Sequence, residues 1–445
     1  MKLLTLTSSL RASVFILVLW ISFGLVVLSL YFANSMSFEL KSADNRLAAS
    51  QAGMAINGAA RYAEYIISNY ATNGVVADPQ FYRSEYVPVD EASFWYLGQP
   101  INDVESTQLV PVFGLVDEAS RLNLNTASAT MLQGLPGITV EFAAAIIDWR
   151  DDNSEPSESG AESEIYQRLD PPRTCKNAPF ESVDELRLVY GATIEMLYGE
   201  DINRNGILDP SENDGDLSLP LDNADGRLDQ GITAYLTVYT RQLNTRPDGT
   251  ARVSVNNRQN LRQLLEDNFD TSRANEILGP LGNQQFASIL GFYAASQMTP
   301  DEFAAIEDSL TTTNSAVIQG LVNVNTASQV VLACIPGIDE GKAAELVAHR
   351  AGNAVPLTSI AWVKDILDSA AIEQAGPYLT GRTYQFTADI VALGRFNRGY
   401  RRTRFVFDAS QSPPRIAYRQ DLTHLGWALG RQVHQNLELE LESRL

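Results

Sequence analysis

The sequence predicts an α+β protein: a long N-terminal helix, an antiparallel sheet and an inserted helical region. Three observations predict it. Val14 to Ala33 is a stretch of 20 residues without a charge. A segment near position 122 recurs near position 322 with the same turn chemistry. Strand-like alternation occurs both before the first copy and after the second.

The apolar stretch comes first. As a helix it spans about 30 Å, the thickness of a bilayer's hydrocarbon core. Lys2 and Arg11 precede it and a long acidic chain follows. That asymmetry predicts a cytoplasmic N-terminus and a bulk on the other side. A cleaved signal peptide is the competing reading, but its apolar region is shorter, about 7–15 residues. Leu40, Ala43, Leu47, Met54, Gly58, Tyr62 and Ile66 then recur at spacings of three, four and seven. The spacing predicts one continuous helix, half in lipid and half packed on a soluble body.

The repeat has an offset of 200 positions, pairing LNLNTASATMLQGLPGI (Leu122 onward) with VNVNTASQVVLACIPGI (Val322 onward). Asn and Thr oxygens can cap a first helix. Pro136-Gly137 and Pro336-Gly337 make a tight turn. A second helix follows, in the first copy through Phe142, Ala145, Ile146 and Trp149. Each copy is predicted to be a helix–hairpin–helix, a unit often used to clasp nucleic-acid phosphate. The net charge is −21, however, and the hairpins read GITVEF and GIDEGK. A surface that acidic repels phosphate, so packing is the expected role and no nucleic acid is expected.

Asp201 to Glu212 reads DINRNGILDPSE and fits the spacing of a calcium loop. Asp201, Asn203 and Asn205 would supply side-chain oxygens. Gly206 would make the turn, and Ile207 would offer its carbonyl. Asp209 would act directly or through water, and Glu212 through both oxygens. Hard oxygen donors select Ca2+. A structural ion would offset the ordering cost of a segment rich in Pro, Gly, Asn and Asp. Asp222, Asp225 and Asp229 form a poorer second candidate, since its first position is Leu221.

Catalytic motifs are absent from the sequence. His349, His424 and His434 stand in no metal-binding spacing, and there is no G-x-S-x-G elbow or P-loop. His349 reads as a packing or capping residue. Cys175 and Cys334 read as two separate thiols. Arg395 to Arg404 (RFNRGYRRTR) is a basic hairpin that either docks an acidic partner or is simply solvated.

Three stretches together resemble one family, the minor pseudopilin K of bacterial type II secretion systems. They are the N-terminal RASVFILVLWISFGLVVLSLYFANSMSFELKSADNR; FGLVDEASRLNLNTAS with LPGI, IIDWRDD, GAESEIY and PFESVDELRLVYG; and the second repeat copy. The resemblance implies a pilin-like sheet interrupted by a large helical domain, calcium binding, and no enzymatic activity. It also implies a prepilin leader cut by the prepilin peptidase, here at the Ala12–Ser13 junction, with Ala12 where the family usually has Gly. Leu17 stands where major pseudopilins place a glutamate. That carboxylate is thought to pair with the neighbouring subunit's N-terminus, so its absence suits a subunit at the filament tip. The implied setting is the bacterial inner membrane, crossed once, with the bulk periplasmic. The implied partners are the I- and J-type minor pseudopilins and the secretion platform.

The expected organisation is a leader at 1–12, a long helix at 13–75 with its membrane span at 14–33, and the start of the sheet at 76–121. A first helical insertion with the calcium loop follows at 122–215, then strands and connecting helices at 216–320. A second helix–hairpin–helix unit at 321–380 and C-terminal strands at 381–445 complete it. The alternative function is a membrane-anchored, competence-type DNA receptor, and a hydrolase using the acidic cluster ranks last.

Overall fold

The computed structural model describes residues 9–71, 74–99, 111–352 and 359–443. Ser9–Tyr70 is one uninterrupted helix of 62 residues. Residues 1–8 of the expected leader lie outside the described residues, and Ala12 and Ser13 are described as helical backbone alone. From Val14 to Leu40 the large apolar side chains of this helix are exposed. It is long and apolar enough to cross a membrane by length and composition.

The second half of the helix lies on a sheet, along a stripe that keeps Tyr62 and Ile66 of the one the sequence suggests but not its earlier members. Leu40, Leu47 and Met54 are exposed, whereas Ala48, Ala52, Ala55, Ala59, Ala63 and Ile66 are buried. The reason is closeness. A Cβ added at Gly394 would come within 2.1 Å of the Ala48 carbonyl oxygen, and one at Gly399 within 2.3 Å of the Ala48 carbonyl carbon. Only small residues allow a helix and a sheet to approach so closely. Long leucines on that face would hold them apart, so they point away. The Tyr96 hydroxyl donates to the Ala59 carbonyl at 2.6 Å across this interface.

The sheet runs in the order Val87–Val89, Ala92–Leu97, Gln385–Gly394, Arg398–Asp408, Arg415–Asp421, all antiparallel. Val116–Asp117 also pairs with Gln385–Gly394. Every residue of that central strand is buried. Phe386, Ala388, Ile390 and Ala392 face the long helix. Val391 and Leu393 face the other way, against Ala428, Leu429 and Leu437 at the C-terminal helix Gly430–Ser443. The central strands thus lie between two layers, which explains their near-continuous apolar run.

Between Asp117 and Gln385 lies the helical insert, and it contains three related units rather than two. Each opens with a two-residue strand that pairs in parallel with a two-residue strand closing the same unit. The pairs are Leu122–Asn123 with Leu236–Thr237, Val253–Ser254 with Leu310–Thr311, and Val322–Asn323 with Leu379–Thr380. The next amide closes each pair identically: Leu124 N to Thr237 O at 2.8 Å, Val255 N to Thr311 O at 2.9 Å, Val324 N to Thr380 O at 3.0 Å. Asn125 clamps the backbone of Phe180 by two hydrogen bonds, and Asn256 clamps Phe286 in the same way. The strands expected within 216–320 therefore do not extend the main sheet. They belong to these short pairs and to the ladder Arg241–Leu243 with Val317–Gln319. The middle unit escapes a sequence reading because it lacks the Pro-Gly turn. Its helix Arg258–Asn268 runs on until Asp270 caps the next, Thr271–Leu278. One apolar core joins all three units.

The tight helix–sheet contact yields a pair of opposite expectations. Gly394→Ala should destabilise the protein by about 1–3 kcal/mol through overpacking. Gly53→Ala, on the same helix with nothing within 4 Å of an added Cβ, should stabilise it by about 0.5–1 kcal/mol. Urea unfolding midpoints in detergent solution measure both.

Candidate metal loop and repeat hairpins

The segment from Asp201 to Glu212 interrupts the first unit near its end. In the middle and last units, the helices Pro300–Ile306 and Ser369–Ala375 pass directly into the closing turn. In the first unit, residues 199–231 intervene between Ile194–Tyr198 and Ile232–Tyr235.

Local backbone chemistry shapes the loop. The Asp201 carboxylate accepts from the amides of Asn205 and Gly206, both at 2.9 Å. Asn203 Oδ1 accepts from Asn205 N at 3.0 Å, and Asn205 Oδ1 from Ile207 N at 2.7 Å. Gly206 takes φ +72°, which a side chain would resist. Glu212 reaches back so that one oxygen accepts from Ile202 N at 3.2 Å and the other from Asp209 N at 3.0 Å. Asp209 accepts from the amide groups of Asn203 and Asn205 at 2.8 and 3.0 Å. The side chains of Asp201, Asn203, Asn205, Asp209 and Glu212 thus lie in one hydrogen-bonded loop with the Ile207 amide, and of these residues all but Asp209 are buried.

Electrostatically the loop holds a surplus of negative charge. Glu212 is pushed up to about 8, first by burial and then by the neighbouring Asp201. Asp201 is also raised, by burial. The donor set is carboxylate, amide and carbonyl oxygen, which fits a hard divalent cation. Among the described residues no three His, Cys, Asp or Glu side chains gather as a metal-holding group by themselves. Coordination here would therefore depend on Asn203, Asn205 and the Ile207 carbonyl beside the acids. Asp222 and Asp225 are engaged in turns of their own, Asp222 accepting from Asp214, Gly215 and Ala224 amides and Asp225 from Arg227.

One residue of the site was not foreseen. Arg402 belongs to the basic run read as a solvated or docking hairpin, yet its side chain is fully buried. It pairs with Asp389 of the central strand at 2.9 Å, and its other nitrogens donate to the carbonyls of Asn203 and Arg204. Arg404 shares Asp389 at 2.8 Å. Burial alone would raise Asp389, but the two guanidinium groups hold it well below the ordinary carboxylate range. The Asn203 amide donates to the Trp427 carbonyl at 3.1 Å. Neighbouring Arg204 pairs with Asp184 at 3.2 Å and lies over the Tyr198 ring at 3.9 Å. Strand alternation does not distinguish a buried arginine from an exposed one, so no local signal marks Arg402.

The repeat hairpins differ in access. Gly137 (φ +74°) faces open space, whereas a Cβ at Gly337 (φ +84°) would meet Gln374 and the Ala371 carbonyl. The last unit's own helix therefore covers its hairpin. Gly134 packs on Cys334, its counterpart 200 positions on, so the two outer units touch there. Cys175 and Cys334 are both buried and unbridged. His349 stacks on Trp362, with centroids 5.1 Å apart. Arg150 and Arg350 each reach back across their unit, to the carbonyls of Leu124 and Val324 respectively.

Comparison with known proteins agrees with the resemblance carried by the sequence. Residues 120–198 match the family described as Type II secretion system (T2SS), protein K. A 52-residue stretch is 40% identical to the type II secretion system protein K of Klebsiella pneumoniae, covering 12% of this chain and 16% of that protein. A crystal structure of the GspK-GspI-GspJ complex from the enterotoxigenic Escherichia coli type 2 secretion system overlaps 84% of this chain and 96% of that chain. The overlap has a TM-score of 0.41 and 11% identity.

The loop's charge gives a prediction about pH. Glu212 sits at about 8 when folded, against 4.5 for an ordinary glutamate. Protonation therefore favours the folded state, and the metal-free chain should lose stability as pH rises from 4.5 through 8. Urea midpoints in chelator at pH 5 and pH 8.5 should show the loss, and Glu212→Gln should flatten it. The same loss in the variant would disprove the assignment to Glu212. By sequence, the chain resembles type II secretion system protein K, and the family match locates that likeness at residues 120–198.

Proposed function

We propose that this chain is a non-enzymatic minor pseudopilin of a type II secretion system. It stands at the tip of the pseudopilus and initiates the filament that exports folded proteins across the outer membrane. The observation that carries the reading is the uninterrupted helix Ser9–Tyr70, bare and apolar in one half and alanine-lined against the sheet in the other. That division suits a subunit that sits in a membrane and hands its first half to a bundle of similar helices. In this reading residues 14–33 cross the inner membrane once, with the N-terminus cytoplasmic and the bulk periplasmic. The uncharged Leu17 suits a position with no subunit above it. Support for the family comes from the match at 120–198. The partners are the I- and J-type minor pseudopilins and the secretion platform, and the prepilin peptidase acts at Ala12–Ser13.

The two outer units act as packing modules in this account, each a helix–hairpin–helix built for its neighbours. The competence-type DNA receptor is supported less well. The hairpin at Gly337 is covered, and a charge of −21 opposes binding to a phosphate backbone.

The loop from Asp201 to Glu212 binds a structural Ca2+ in this reading. Asp201, Asn203, Asn205, Asp209, Glu212 and the Ile207 carbonyl would hold the ion. When bound, it would neutralise the buried acids and order the inserted segment.

Two experiments test these statements. In the source bacterium lacking this gene, the full chain should restore release of exported proteins, and a chain without residues 14–33 should not. Restoration by the truncated chain would refute the anchored reading. Calcium at about 100 times its Kd should stabilise the full chain by about 2.7 kcal/mol. Glu212→Gln should remove most of that gain, and an unchanged gain would place the ion elsewhere.

A further inference from the structure

The basic run is absorbed only in part by Arg402 and Arg404, which pair with Asp389. Its remaining members lie at the turn between Gln385–Gly394 and Arg398–Asp408. Where that turn points is set by two contacts. At the start of the strand, Thr383 N donates to Gly74 O at 2.8 Å, beyond the C-terminal end of the long helix. At the strand's other end, Gly394 and Gly399 press on Ala48, where the body begins. The strand therefore runs back along the helix, and the turn is aimed at the bare apolar half.

Ala33 and Ala48 are 15 residues apart, which is about 22 Å of helix. The interfacial zone outside the hydrocarbon occupies roughly 5–7 Å of this, and two residues beyond Gly394 span about 7 Å more. The turn thus stands about 10 Å above the headgroups of an upright helix, and a ~20° tilt brings arginine side chains into reach.

The chemistry of the turn is unusual for this chain. Phe396 is 54% exposed and takes φ +55°, a region that bulky residues avoid. The Arg395 guanidinium lies 4.6 Å from its ring centroid. Arg398 and Arg401 are exposed. Among the described residues, none of these three arginines makes an ion pair. Of the acids around the turn, Glu91 accepts from Gln51, Glu438 lies beside His434 and Glu440 accepts from Tyr86, while Asp421 accepts from the Thr423 amide and is also stabilised by the charge of Arg401. An exposed aromatic at positive φ stands here among three arginines that form no salt bridge among the described residues, on a body of charge −21.

We propose that this turn docks on the anionic lipid headgroups of the membrane that holds the helix. Arg395, Arg398 and Arg401 meet phosphates, and Phe396 faces the headgroup boundary. An acidic protein neighbour is the competing occupant. The turn's aim along the helix axis, rather than sideways, favours lipid. Docking at this second point fixes the tilt of the body over its anchor. The inference rests on the membrane-anchored reading above.

The test uses the full chain carrying Phe396→Cys, reconstituted in vesicles of phosphatidylcholine alone or with one-quarter phosphatidylglycerol. The native thiols are buried and pushed up to about 11 and 12, so a water-soluble thiol reagent reports mainly position 396. Flotation of the chain with the vesicles reads the anchor separately. The expected result is flotation with both lipids and labelling at least about tenfold slower with the anionic lipid. Arg398→Gln and Arg401→Gln should each relieve that protection by up to roughly fivefold. Equal labelling in the two lipids, with flotation intact, overturns the docking and leaves the anchor standing. Protection that arises only on adding an acidic partner protein overturns it too. Failure to float removes the anchored reading and this proposal with it.

Discussion

A buried guanidinium ties the acidic loop of the insert to the main sheet. Arg402 lies on the second strand of the main hairpin with no exposed surface, and Asp389 on the adjacent strand neutralises it. Its remaining donors reach the carbonyls of Asn203 and Arg204. Two charges out of water are costly unless every donor and acceptor is matched, and here both oxygens of Asp389 are engaged. The consequence is positional. The acidic loop is joined to the sheet through its backbone, so its place does not depend on the exposed residues around it.

The same division of labour recurs along the insert. Asp117 and Glu118, just before the first unit, gather its neighbours: Asp117 accepts from Asn323 and Thr326 of the last unit, and Glu118 from Thr237 and Thr387. The repeated Asn and Thr are thus not the caps the sequence suggests, a place taken by Ser128 and Ser328. Asn123 bonds Thr240 within its own region, while its counterpart Asn323 bonds Asp117 at the root of the insert. The first and last units put the same side chain to different uses. The insert is thus fastened on a sheet, which is itself fastened on a membrane-length helix.

The sequence revealed what local physics controls. The long helix was legible from its charge-free run and the two outer units from their Pro-Gly turns, although Ser128 and Ser328, not the Asn and Thr before them, cap the first helices. It was silent where distance in the chain matters. The stripe that meets the sheet is alanine because Gly394 and Gly399 bring the backbones close, and those glycines lie more than 300 positions away. The middle unit shares its opening and closing strands with the others, but only Val253, Val255 and Asn256 match the last unit's opening. Arg402 looked like any other member of a basic run, because burial of a charge is decided by the partner across the sheet.

Hydrogen exchange in the Arg402→Met variant tests the central claim most directly. Leaving Asp389 with Arg404 alone, and two backbone carbonyls without a donor, should abolish protection in residues 199–212 while the long helix keeps its own. If the loop's amides exchange as slowly in the variant as in the parent chain, the guanidinium is not what holds the loop to the sheet.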